Sequence, residues 1–162
     1  MIGYIETPHL PENAVKDIII GKKYRKLLEK PLEKYNINAM WLPDNPYVDR
    51  RLSGHTDLSA VHLGKNRLAA AEYLLNCEQF NNLELISLNN QMSSEYPHDA
   101  VYNICVAGSY LIVNEKTADP SLLKYFQNKK LISCKQGYSK CSVCVVDEGS
   151  IITADKGIAV KA

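Results

Sequence analysis

The chain has 162 residues, 46% of them hydrophobic and 23% charged. That is enough for one domain with a core and too short for two ordinary ones. Nineteen Lys and Arg against eighteen Asp and Glu leave a formal charge of +1, which offers no electrostatic handle for nucleic acid or an acidic membrane as the main partner.

The N-terminal stretch Met1-Ile2-Gly3-Tyr4-Ile5-Glu6 has no basic start and no apolar h-region, so no secretory signal is expected. The longest apolar runs, Ile18-Ile19-Ile20 and Val143 to Val146, are strand-length and far below the roughly 20 residues that a bilayer-spanning helix needs. Five scattered cysteines, Cys77, Cys105, Cys134, Cys141 and Cys144, predict reduced thiols and a cytoplasmic location.

In chain order, the first apolar strand is Lys16 to Ile20. It precedes an amphipathic helix near Tyr24 to Tyr35 whose stripe is Leu27, Leu28, Leu32 and Tyr35. Pro31 in its middle predicts a kink or a split. A second strand, Ile37 to Leu42, stops at Pro43. Leu58 to Leu63 reads as a strand, Gly64-Lys65-Asn66 as a turn, and Arg67 to Ala71 as a returning strand. A helix through Glu72 to Phe80 and a strand at Leu83 to Leu88 follow. Val101 to Ala107 and Tyr110 to Asn114 form the next hairpin around Gly108-Ser109. Asp119 is placed to cap a helix with Pro120 at its first position, running to about Lys130. Leu131 to Cys134, Ser142 to Val146 and Ser150 to Thr153 are further strands, and Asp155 caps a last helix.

The turn glycines Gly21, Gly64, Gly108 and Gly149 are spaced by 43, 44 and 41 residues. A period in this range marks modules that bury their apolar faces against their neighbours. The fold class expected is α+β.

Four segments carry a resemblance. They are Ser53-Gly54-His55-Thr56-Asp57, Tyr96-Pro97-His98-Asp99-Ala100 followed by Tyr102-Asn103, Gln136 to Ser142, and Ser150 to Ile158. Together they resemble the pentein fold of the guanidine-modifying enzymes, the arginine deiminases, amidinotransferases and dimethylarginine hydrolases. The similarity is greatest to an uncharacterised bacterial branch of that fold, and it covers most of the chain from about residue 50 onward. The resemblance implies a single domain over residues 1–162: an α/β-propeller array of ββαβ units about a pseudo-fivefold axis, with three to four of five units present. Five units of that period need roughly 215 residues, so a C-terminal segment is expected to be missing.

It also implies a site at the end of the array where the loops before each unit's first strand gather. Substitution at a guanidinium carbon needs a thiolate, a His to move protons, and carboxylates to hold the planar cation. His55 and Asp57 resemble the family's His-x-Asp element. On an extended segment, positions i and i+2 face the same way. Asp99 is a second candidate for holding the cation, with Gln136 and Tyr138 as further substrate-binding candidates. Cys141 is the best-placed thiol, with Lys140 beside it, although the nucleophilic Cys of catalytic penteins belongs to the final unit.

The plainer alternatives stay open: Asp57 as a local cap, His55 and His98 as surface residues, and Cys141 as a structural cysteine. Cys77, Cys105, Cys134 and Cys144 read as core fillers. His62 reads as a packed strand residue. Cys141 and Cys144 have no second ligand pair at zinc spacing, so neither a metal nor any other cofactor is expected.

The function expected is binding of a small guanidinium-type cation with hydrolysis or group transfer at its carbon. The rival is a non-catalytic pentein acting by binding, as ribosomal anti-association factors do. Uncovered strand edges predict association with a second copy.

Overall fold

A computed structural model describes residues 4–88 and 92–162. Met1, Ile2 and Gly3 of the N-terminal stretch lie outside it. Among the described residues, no helix is long and apolar enough to cross a membrane.

Among the described residues, ten strands form four small sheets. β1 (Asp17–Gly21) and β2 (Asn38–Leu42) are parallel neighbours, joined by a crossover through α1 (Arg25–Lys34). β3 (Ala60–Gly64) and β4 (Arg67–Ala70) make an antiparallel hairpin, and β5 (Glu84–Ile86) returns parallel to β4. The third sheet has the same order: an antiparallel hairpin of β6 (Cys105–Ala107) and β7 (Tyr110–Val113), then α2 (Pro120–Tyr125), then β8 (Lys130–Ser133) parallel to β7. β9 (Val143–Val145) and β10 (Ile151–Thr153) form the last hairpin, followed by α3 (Lys156–Ala159).

β4, β6 and β7 bury both faces, and their period of two decides which core each side chain joins. In the second sheet Leu68 and Ala70 turn toward Leu42, Leu74 and Phe80. Val61, Leu63 and Ala69 turn the other way, onto Val106, Leu111, Val113, Leu122 and Phe126. In the third sheet Cys105, Ala107 and Ile112 face Cys134, Val143 and Ile158. Three apolar clusters thus join the first segment to the second, the second to the third, and the third to the fourth. Each of these segments completes its core with its neighbour.

Several local expectations change. α1 runs unbroken through Pro31 and buries nothing fully. Leu27 and Tyr35 of its predicted stripe are 71% and 68% exposed, while Leu28 and Leu32 are half-buried. The helix expected over Glu72 to Phe80 is two separate turns of 3-10 helix, Glu72–Leu74 and Glu78–Phe80. Those turns send Leu74 and Phe80 into the core without a regular helix. The strand expected from Val101 begins only at Cys105. Cys144 is exposed on β9 rather than filling the core, while Cys105 and Cys134 are buried and Cys77 is half-buried.

The caps form as expected. The Asp119 carboxylate accepts from Ser121 N at 2.7 Å, and Asp155 accepts from Ile158 N at 2.9 Å. Gly21 does not make a hairpin turn. It ends β1 in extended backbone and runs into a 3-10 turn. Its requirement is space, since a Cβ there would collide with the Gly54 carbonyl oxygen. That contact presses the loop before β3 onto the end of β1.

Candidate functional site

The loops that precede β3, β6 and β9 meet. His55 sits in extended backbone just before a 3-10 turn, Thr56–Leu58, which carries Asp57. The segment is therefore not a strand, and the i, i+2 alternation does not apply to it. His55 and Asp57 nonetheless converge. The closest donor atoms of His55, Asp57 and Cys141 all lie within 4.8 Å of one another.

Cys141, in the turn that leads into β9, donates from Sγ to Asp57 Oδ2 at 2.7 Å. Desolvation by the surrounding loops, then the Asp57 charge and this hydrogen bond, push the thiol up to about 12 from its ordinary 9.0. Lys140 pulls the other way, more weakly. The resting sulfur is a protonated thiol that faces a carboxylate.

Asn103 holds the three loops together. Its amide Nδ2 donates to the Asp57 backbone carbonyl and to Asp57 Oδ2, both at 3.2 Å, and reaches Cys141 Sγ at 3.3 Å. Its Oδ1 accepts from Lys140 N at 2.7 Å, and its backbone carbonyl accepts from Ser139 Oγ at 3.0 Å. The residue is fully buried. The sequence reading gives Asn103 no role beyond its place in the Tyr102-Asn103 motif. It lies two residues before β6, whereas Asp57 lies three residues before β3.

Asp99 lies in the 3-10 turn His98–Ala100 before β6 and is 3% exposed. Tyr138 OH donates to its Oδ2 at 2.6 Å. Burial and then the Asp99 carboxylate raise the Tyr138 phenol well above its ordinary range, with Cys141 among the smaller contributors. Asp99 Oδ1 is buried and has no hydrogen-bond partner among the described residues. A buried carboxylate oxygen without a donor is costly unless a cation or water meets it.

Tyr96 leans on Tyr138 with ring centroids 5.8 Å apart. It also lies against Gly137, where a Cβ would fall 2.6 Å from the Tyr96 ring. Gln136 turns inward on its own loop, its Oε1 accepting from Tyr138 N at 3.0 Å. That contact makes it a loop-shaping residue. His98 is exposed. His62 meets the Lys65 carbonyl at 2.8 Å through Nε2.

Beside His55 and Asp57 opens a groove of about 320 Å³, lined by Ile20, Gly21, Tyr24, Leu28, Gly54 and Thr56 as well. Its walls are mainly apolar, with the His55 and Asp57 side chains at one side. Chemically, the assembly offers a thiol, an imidazole and two carboxylates.

Residues 19–162 match the model of a family described as a family of unknown function (DUF6873). No curated protein and no solved structure matches the chain.

Proposed function

This chain belongs to DUF6873, a family of unknown function, and we propose that it binds a small guanidinium- or amidinium-type cation and carries out substitution at that cation's central carbon with Cys141. On this reading the chain is a pentein-like array of ββαβ units related to the guanidine-modifying enzymes. The matching order of the β3–β5 and β6–β8 sheets supports that architecture. The observation that carries the chemistry is the joining of Cys141 Sγ to Asp57 Oδ2 at 2.7 Å with His55 inside the same cluster.

Asp57 and Asp99 hold the planar cation, and the unpartnered Oδ1 of Asp99 supplies one acceptor. Binding neutralises the charge on Asp57, which removes one of the causes that keep the thiol protonated. The sulfur then loses its proton to His55 and bonds to the central carbon. The carbon–nitrogen bond breaks, and the amine departs with the proton that His55 delivers. Water or an acceptor amine displaces the sulfur. The groove of Ile20, Tyr24 and Leu28 takes the aliphatic part of the substrate.

The thiol raised to about 12 also favours a second reading, in which the same pocket binds a cation without chemistry. One experiment separates them. The reduced protein is treated with an alkylating agent that carries an amidinium group, and in parallel with neutral iodoacetamide. The enzyme reading expects the cationic agent to modify Cys141 preferentially, by mass spectrometry, with protection by arginine or agmatine. Equal rates for both agents at Cys141, with no protection, overturn it.

A further inference from the structure

The geometry points to a zinc site: we propose that His55, Asp57 and Cys141 bind one Zn²⁺ ion with a fourth coordination position open to solvent. The inference rests on the residue cluster used above, but it does not need the substitution chemistry to be right.

The donor set carries the choice of metal. An imidazole nitrogen, a carboxylate oxygen and a cysteine sulfur suit zinc, whereas magnesium and calcium take oxygen ligands alone. Three such protein ligands with one position left over are the pattern of an open zinc centre. The distances are close to what the ion requires. Bonds of about 2.0–2.3 Å in a tetrahedron place ligand atoms roughly 3.4–3.6 Å apart. The three donor atoms already lie within 4.8 Å of one another. The Cys141–Asp57 contact of 2.7 Å holds a proton now. As the zinc–sulfur bond forms, that proton leaves to solvent and the pair opens by about 1 Å.

The supporting shell is present as well. Asn103 is fully buried and donates to both Asp57 Oδ2 and Cys141 Sγ. It is anchored in turn by the Lys140 amide. Such contacts orient metal ligands and typically contribute 10- to 100-fold in affinity. Cys141 is exposed, which leaves solvent a way to the cluster.

The spacing of the sequence hides this arrangement. The nearer cysteine, Cys144, sits exposed on β9 and takes no part, while the ligands come from loops 84 residues apart. Zinc and a cationic substrate would exclude each other, because both use Asp57 and the Cys141 sulfur.

The test is titration of the chelator-stripped, reduced full chain with Zn²⁺ against a chromophoric competitor, and with Co²⁺ followed by absorbance. One equivalent should bind, and Co²⁺ should give a sulfur-to-metal charge-transfer band. Cys141→Ser should abolish the band, and His55→Ala should weaken binding at least about tenfold. Cys144→Ser should leave both unchanged. Asp57→Asn provides a second route if Cys141→Ser fails to fold, as judged by circular dichroism. The proposal is overturned if no stoichiometric ion binds, if the band survives in Cys141→Ser, or if Cys144→Ser removes it. Alkylation by the amidinium agent is run on metal-free protein. Selective alkylation without zinc binding sinks this inference alone, and zinc binding without selective alkylation sinks only the substitution chemistry.

Discussion

At the scale of single residues, Asp57 acts on two neighbours in opposite ways. It accepts the Cys141 thiol proton and would attract a cation. Replacing it with Asn removes the charge and keeps the shape. Desolvation is the largest cause of the raised thiol and survives the change, so the Asp57 share alone is released. The thiolate fraction at pH 8 should then rise, and alkylation of Cys141 by neutral iodoacetamide should speed up by roughly 3- to 10-fold. Cys144, exposed on the adjacent strand, is the internal reference in the same peptide-mapping run. An unchanged or slower rate at Cys141 would show that Asp57 does not govern the thiol. The candidate residues His55, Asp57 and Cys141 were legible in the sequence as polar groups on loops ahead of strands. Asn103 was not, because an Asn that ties three loops together has no mark in a single sequence. Gln136 is a candidate through its loop and the resemblance, and the contact its Oε1 makes with Tyr138 N is one that a single sequence does not mark.

At the scale of elements, the strands and caps were readable and the helices less so. Asp119-Pro120 states its own cap, and the side-chain directions of β4, β6 and β7 follow from the strand period of two. The segment from Glu72 to Phe80 has the apolar content of a helix but breaks into two 3-10 turns. Tertiary contacts of Leu74 and Phe80 override its local preference. Gly21 illustrates a requirement that spacing disguises. The period marks it as a turn glycine, yet its conformation is extended and open to any residue. What it cannot accept is volume, since a methyl group would strike the backbone of Gly54. Backbone cannot rotate away as a side chain can, so Gly21→Ala should destabilise the fold by about 1–3 kcal/mol and displace the His55–Asp57 loop. Chemical denaturation measures the first effect, and the Cys141 alkylation rate reports the second. A variant with wild-type stability would mean that the two segments separate freely.

At the scale of the whole molecule, three apolar clusters run through four small sheets among the described residues. A hairpin with both faces apolar needs neighbours on each side. The rotation between successive modules lies beyond any single-sequence pattern, since a period fixes what is repeated and leaves that rotation undetermined. Cys105 tests whether the third and fourth segments are joined as one folding unit. Its thiol is fully buried in the cluster that links them, and burial raises it from the ordinary 9.0 to about 11. In the unfolded chain it titrates near 9, so between pH 9 and pH 11 the native state keeps a proton that the unfolded state has lost. Stability contributed by this group is therefore complete below pH 9 and falls as pH rises toward 11, by roughly 2–3 kcal/mol in all. Cys105→Ala removes that contribution at the cost of a small cavity. Its unfolding free energy should start lower at pH 8 and decline less steeply than wild type up to pH 11, in urea titrations at each pH. Two parallel profiles would mean that Cys105 ionises in the folded state as readily as in the unfolded one, and the packing between these segments would then be loose.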